Sequence, residues 1–240
     1  MILQADLHTH TIASTHAYST IMENCEWAAK YGLKAIAMTD HAMNMPDSPH
    51  YWHFINLRAL PRKICGVTVL RGIEANIIDT DGKLDVEDWL LDQLEWVVAS
   101  MHSDTLKLTD KDEIAKAYLN VCKNPYVDVI GHCTGDHFFF DYEKCVKIFK
   151  EYEKYVEINE SSIANKSGSR RNCYELLKLC KKYEVPVVVD SDGHFCQSIG
   201  QTPNALNILQ EVDFPQKLVA NADWNVIREH ILKKHKNIDI

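Results

Sequence analysis

Along the chain, short runs of aliphatic and β-branched residues alternate with longer stretches in which apolar positions return every three or four residues. These are the periods of buried strands and of amphipathic helices. Residues 2–7 predict a first strand and 21–31 a helix, with Ser19 or Thr20 as N-cap and Gly32 closing it. Residues 34–39 (KAIAMT) predict the second strand, and 46–63, rich in Pro, His and aromatic residues, a long loop ending in a helix. Further strands are expected at 67–74, 96–100, 127–131, 155–159 and 185–190. Helices are expected at 85–91, 110–122, 142–152, 172–183, 203–210 and 224–234. Seven strand signals alternate with helices, and no Gly/Ser linker or block of like charge divides them. The pattern predicts a single α/β barrel domain over residues 1–240.

Composition narrows the class. The 240 residues are 46% apolar and 25% charged, ordinary values for a soluble domain with a large core. The formal charge of -8 argues against a nucleic-acid-binding surface. Bound divalent cations would offset that charge locally, so an anionic substrate is compatible with it. No apolar run approaches the roughly 18–20 residues of a membrane span, and the opening MILQAD has no secretory pattern. The eight cysteines are scattered, with no CxxC, and several fall in predicted helices. Buried free thiols in a reducing, cytoplasmic setting are expected.

Histidines and carboxylates gather at the ends of the predicted strands. His8 and His10 close the first strand, and alternation puts both imidazoles on one face, about 7 Å apart. His16 follows in the next loop; His41 ends the second strand, Glu74 the third, His102 the fourth and His132 the fifth. Asp192 and His194 follow the seventh, while the sixth, ending Glu157-Ile158-Asn159-Glu160, offers no obvious ligand. A lone histidine after a strand is ordinarily a loop or capping residue. Nine ligand-type residues around six strands of a parallel barrel share one face and predict a metal site.

A catalytic zinc ion takes three protein ligands and keeps an open position, so nine predict two or three ions, with Glu74 able to bridge a pair. The thiolate-free, histidine-rich set suits Zn, Mn or Fe over Mg or Ca. Three divalent ions with two carboxylates leave about +4, or about +3 with a hydroxide. That charge favours a phosphate dianion, and bound water has its pKa lowered toward roughly 7. The expected reaction is hydrolysis of a phosphate ester by metal-activated water, with no protein nucleophile.

The set DLHTHT, TDH, GIE, SMH, GH and SDGH, in that order, resembles the PHP (polymerase and histidinol phosphatase) superfamily over nearly the whole chain. Its length and the surroundings of His102 and His132 are most similar to the YcdX-type phosphatases. The resemblance implies a distorted (β/α)7 TIM-like barrel with three divalent ions, usually zinc, acting on a small phosphorylated substrate. It implies that His8, His10, Glu74 and Asp192 hold one ion, Glu74, His102 and His132 a second, and His16, His41 and His194 a third. It also implies a homotrimer. Phosphodiesterase or exonuclease-like activity and histidinol-phosphate hydrolysis are the alternatives within the superfamily. Amidohydrolase chemistry commonly needs a bridging Lys at a strand end, and no suitable one is found. A non-catalytic metal store would need no open barrel mouth.

Asp6 and Asp40 each adjoin a ligand and are candidates to orient an imidazole from behind, although Asp40 equally suits a turn cap. Ser167, Arg170 and Arg171 follow the sixth strand and are candidates for a phosphate contact near a helix N-terminus. His50 and His53 fit loop packing, and His230 and His235 a solvated basic helix.

Overall fold

Each predicted apolar run becomes a strand, and each longer periodic stretch a helix. The structure, a computed structural model, describes residues 1–165, 168–235 and 238–240. Its strands are β1 (Ala5–Thr9), β2 (Ala35–Met38), β3 (Lys63–Ile64), β4 (Val67–Asn76), β5 (Trp96–Ser100), β6 (Val129–Ile130), β7 (Tyr155–Asn159) and β8 (Val187–Asp190). They run in the order β1-β2-β4-β5-β6-β7-β8, every neighbouring pair parallel. The two-residue β3 pairs antiparallel with β4 and is too short to carry a period. Around them lie α1 (Ile21–Lys30), α2 (Trp52–Asn56), α3 (Asp88–Leu91), α4 (Lys111–Val121), α5 (Tyr142–Glu151), α6 (Glu160–Asn165), α7 (Ser169–Tyr183), α8 (Pro203–Glu211) and α9 (Trp224–Lys234). The fold is a distorted (β/α)7 barrel. Thr20, not Ser19, caps α1, in a reciprocal box with Glu23.

The distortion lies at the seam between β1 and β8. There the strands meet through one parallel bridge, Thr9 to Gly193, and side chains supply much of the remaining bonding. Asp190 Oδ1 accepts the Leu7 N–H at 2.7 Å. The Asn221 amide donates to Ala5 O and Val189 O, and its oxygen accepts the Val189 N–H. Asp6 accepts Ser191 N–H and O–H and the Gly200 N–H. These bonds satisfy backbone groups that an unpaired, buried strand edge would leave bare.

Inside the barrel, Leu7, Leu70, Trp96, Val98, Val129 and Val188 form an apolar floor, and Trp224, Ile227 and Ile231 of α9 plug it from below. Outside, Ile36, Ile73, Val97, Ile130 and Val189 pack under the surrounding helices. The pairing of β1 with β2 slips by one residue between Asp6 and Thr9. The slip is what lets Leu7 belong to the floor while His8, its neighbour, faces the polar layer above.

The C-terminal basic helix is not solvated, contrary to expectation. His230 Nε2 lies 2.8 Å and Lys234 Nζ 2.6 Å from the buried Asp128, and His235 Nε2 lies 2.9 Å from Leu94 O. Plugging the barrel brings that face against the strands' N-terminal ends.

Candidate metal centre

Glu74, fully buried on β4, is the hub. Its Oε1 lies 2.8 Å from His132 Nε2 and 3.3 Å from His102 Nε2. Its Oε2 lies 2.7 Å from His41 Nδ1, 3.4 Å from His8 Nε2 and 3.6 Å from His10 Nε2. Asp192 Oδ1 stands 3.1 Å from His10 Nε2, 3.8 Å from His8 Nε2 and 3.6 Å from His194 Nδ1. The His16 ring is 4.5 Å from that of His194 and 5.1 Å from that of His41. All nine residues expected from strand ends are therefore brought together. His132 and Asp192 hold positive φ values of 20° and 52°, a conformation that non-glycine residues adopt mostly at special sites.

The donor set fits divalent cations. Two ligands of one tetrahedral ion, each about 2.0–2.2 Å from it, are about 3.4 Å apart. The separations of His8, His10 and His102 from Glu74 Oε1 or Oε2 run from 3.3 to 3.6 Å. His8 Nε2, both ring nitrogens of His10, His194 Nε2 and Glu74 Oε2 are buried without a hydrogen-bond partner. His10 Nε2 is close to Asp192 but not aimed to bond it. Unsatisfied buried polar atoms cost about 1–3 kcal/mol each, so such a concentration points to a cation that completes them.

Electrostatics prepare the same state. Burial would raise the Glu74 and Asp192 carboxyls, but the imidazoles around them outweigh it and hold both well below the usual range. Burial, reinforced by His41, pushes His10 down to about 3. It also lowers His194. Anionic carboxylates and neutral imidazoles are the ligand forms a metal needs. His8 and His41 are the exceptions: against their burial, Glu157, Glu74 and Asp192 draw His8 upward and Glu74 and Asp192 draw His41 upward, so binding there would release protons.

Behind the ring nitrogens stand oxygen acceptors. His8 Nδ1 is 2.6 Å from Glu157 Oε1, His102 Nδ1 2.7 Å from Asn76 Oδ1, and His194 Nδ1 3.0 Å from Asp192 O. His16 Nδ1 pairs with Asp47. Each anchor keeps the proton on Nδ1 and the Nε2 lone pair toward the site. Glu157 also accepts the His132 N–H at 2.6 Å. Glu157, Asn76 and Asp47 were missed in the sequence because each meets its partner across a loop or across the barrel. The one signal for Glu157 was its place, alternate with Asn159, on the strand that lacked a ligand.

Several expectations need correction. Asp6 orients no imidazole and instead ties the Asp192 loop through Ser191 and Gly200. Asp40 accepts from Thr11 and Ser14 and lies 3.0 Å from His53 Nε2, so it orders the loop between His10 and His16 and contacts none of the nine. Arg170 pairs with Glu211, and Arg171 with Asp136. Both lie in the first turn of α7, which begins three residues before the expected 172, and neither lines the cavity over the imidazoles. Ser167 lies outside the described residues. His10 stands between two groups whose ligand atoms lie within 4.8 Å of one another, one with His8 and Glu74 and one with His41 and His194, while the His16 ring flanks the second. The His16 side chain is 49% exposed, on a loop held to Asp47.

Above the cluster opens a cavity of about 790 Å³. His16, His41, His102, His132, Asp192 and His194 form its floor. Its position over the C-terminal strand ends is where parallel barrels place their chemistry.

Comparison with known proteins agrees with this geometry. The family model described as PHP domain matches residues 6–161. A probable phosphatase of Clostridium botulinum (strain Langeland) is 41% identical over 98% of this chain and 97% of its own length. A probable phosphatase of Thermoanaerobacter sp. (strain X514) is 42% identical over 99% and 98%. Among solved structures, histidinol phosphate phosphatase of Lactococcus lactis, complexed with zinc, L-histidinol and phosphate, superposes with a TM-score of 0.63 at 17% identity, covering 90% of this chain and 95% of that one. At that identity the likeness is one of fold.

Proposed function

Because the chain belongs to the PHP domain family, we propose that it is a metal-dependent phosphatase that hydrolyses a small phosphomonoester at a three-ion centre. The observation that carries this is the clustering of nine ligand-type side chains, six of them lining one cavity, with buried ring nitrogens and a Glu74 oxygen left without hydrogen bonds. His8, His10, Glu74 and Asp192 are assigned to one ion, Glu74, His102 and His132 to a second, and His16, His41 and His194 to a third. Zinc is the expected metal, with Mn or Fe as substitutes. Divalent ions there would supply Lewis acidity toward water and phosphoryl oxygens, so no protein nucleophile is required.

The chain's own contribution is orientation. Glu157, Asn76, Asp47 and the Asp192 carbonyl each hold an Nδ1 proton, which fixes the tautomer of His8, His102, His16 and His194. The carboxylates of Glu74 and Asp192, held anionic, bring negative charge that partly offsets the ions. Seven of the eight cysteines are buried free thiols, which supports a reducing, cytoplasmic setting. A homotrimer belongs to the same reading and is checked by light scattering.

Metal analysis of protein purified without chelator, paired with hydrolysis of p-nitrophenyl phosphate, tests the proposal. Close to three equivalents with metal-dependent turnover is expected. Less than one equivalent of transition metal per chain overturns it. Faster cleavage of bis-p-nitrophenyl phosphate than of the monoester would favour the diesterase alternative.

A further inference from the structure

The chain after β4 carries a carboxylate that touches none of the nine clustered side chains. Ile77 and Leu84 pair as an antiparallel bridge, and Asp85 follows, partly buried. Its Oδ1 accepts the Asn76 N–H at 2.8 Å. Its Oδ2 accepts from Asn76 Nδ2 at 2.7 Å and from the Asn44 N–H, in the loop after β2, at 2.8 Å. The Asp85 N–H donates back to Asn76 O at 3.1 Å. Both carboxylate oxygens therefore accept, and among the described residues no cationic side chain competes for them. The bonding capacity of Asp85 goes chiefly to one residue, Asn76.

Asn76 is fully buried, and the two ends of its amide are not equivalent. A carboxylate only accepts, so the end that faces Asp85 must be the NH₂. The amide oxygen then faces His102 Nδ1 at 2.7 Å, where it too only accepts. The His102 proton is thereby placed on Nδ1, and Nε2, 3.3 Å from Glu74 Oε1, keeps its lone pair. Ala42 O, 3.4 Å from Asn76 Nδ2, lies beyond the usual N–H···O range and would not hold the amide by itself. With the amide reversed, its NH₂ would meet Nδ1, and the His102 proton would move to Nε2. We infer that Asp85 is a positioning residue: it fixes the Asn76 amide and, through it, the His102 tautomer able to ligate a metal ion. Its consequence for affinity rests on the metal-centre reading, whereas the tautomer is a property of the metal-free chain.

Two measurements test this. Long-range proton–nitrogen spectra of histidine-labelled, metal-free protein are recorded at about pH 8, above the usual imidazole range. Wild type should show His102 protonated on Nδ1, and Asp85→Asn should shift it toward the Nε2–H form. Competition with a chromophoric chelator should show one equivalent of zinc held about 10-fold more weakly in Asp85→Asn, the lower end of the range for a lost outer partner. Asn76→Ala should lose at least as much. Adding Asp85→Asn to Asn76→Ala should cost no further zinc affinity, because no amide is left to orient. A residue that merely propped the loop would add its loss in both backgrounds. An Nε2–H ring in wild type, unaltered zinc affinity in Asp85→Asn, or an equal further loss in the Asn76→Ala background overturns the inference and leaves the metal centre standing. If Asp85→Asn does not fold, the wild-type ring and Asn76→Ala still decide: an Nε2–H ring, or wild-type zinc affinity in Asn76→Ala, overturns it. Less than one equivalent of zinc on wild type overturns the metal centre and this inference together.

Discussion

Replacing Glu157 by Gln should weaken metal binding at His8 by about 10- to 100-fold, the range found when an outer partner of a ligand is lost. Glu157 is buried, with Oε1 2.6 Å from His8 Nδ1 and Oε2 2.6 Å from His132 N. Both partners present protons to it, so both oxygens must accept. Gln has one oxygen and one NH₂. If its oxygen takes the His132 N–H, its NH₂ faces His8 Nδ1, and His8 must accept there and carry its proton on Nε2. That is the atom turned toward Glu74 and Asp192. If the amide is reversed, its NH₂ meets the His132 N–H, and two buried donors without an acceptor cost about 1–3 kcal/mol. A 10- to 100-fold loss is about 1.4–2.7 kcal/mol. In a domain of this size 1 kcal/mol moves Tm by roughly 2–4 °C, so the metal-loaded Tm should fall by about 3–10 °C. Competition with a chromophoric chelator measures the affinity, and melts with and without metal measure the linkage. Wild-type affinity in Glu157→Gln would refute the assigned role.

Three further outcomes are expected. Asp47→Ala removes the anchor behind the half-exposed His16, so dialysis against a mild chelator should strip about one more equivalent of metal than from wild type; equal retention counts against a separate ion there. Gly131→Ala would place a Cβ 2.2 Å from Ser100 Oγ and 2.7 Å from Val98 Cγ1, and overpacking of about 1–3 kcal/mol should lower the Tm of the metal-free protein by several degrees. Burial would raise the Asp128 carboxyl, but Lys234 and His230 outweigh it and hold it at about 2. A depressed carboxyl stabilises the fold above its unfolded pKa, so a contribution of about 2 kcal/mol should disappear as the pH falls from about 4 to about 2. Asp128→Asn should flatten acid unfolding over that window, and an unchanged profile would discount the network.

What the sequence disclosed and what it concealed divide along contact range. Strand alternation and the histidines at strand ends are local patterns, so the seven parallel strands and the nine clustered residues were legible in the sequence alone. Glu157 was not, because its partner His8 lies 149 residues away and its place on the strand without a ligand does not say which imidazole it meets. The two arginines failed for the opposite reason. Arg170 and Arg171 looked like free cations in a loop, but α7 begins at Ser169 and carboxylates on other elements take both. Charge near a helix start is a weak signal when the acid that neutralises it comes from elsewhere in the fold.

Contact range matters most at the seam, which joins the two ends of the chain's chemistry. β1 supplies His8 and His10, and the turn after β8 supplies Asp192 and His194. The two strands meet through a single bridge, at Thr9 and Gly193, with His10 N–H donating to Gly193 O at 3.0 Å. Below that bridge, Asp190, Asn221 and Asp6 replace the missing rungs. A regular ladder would bind the two strands uniformly along their length. The side-chain seam instead pins them just beneath the site and leaves Asp192 free to take its positive φ and turn Oδ1 toward His10. The irregular closure of the barrel is thus tied to the placement of ligands from opposite ends of the sequence, and a change at the seam should register at the metal centre before it registers in the outer helices.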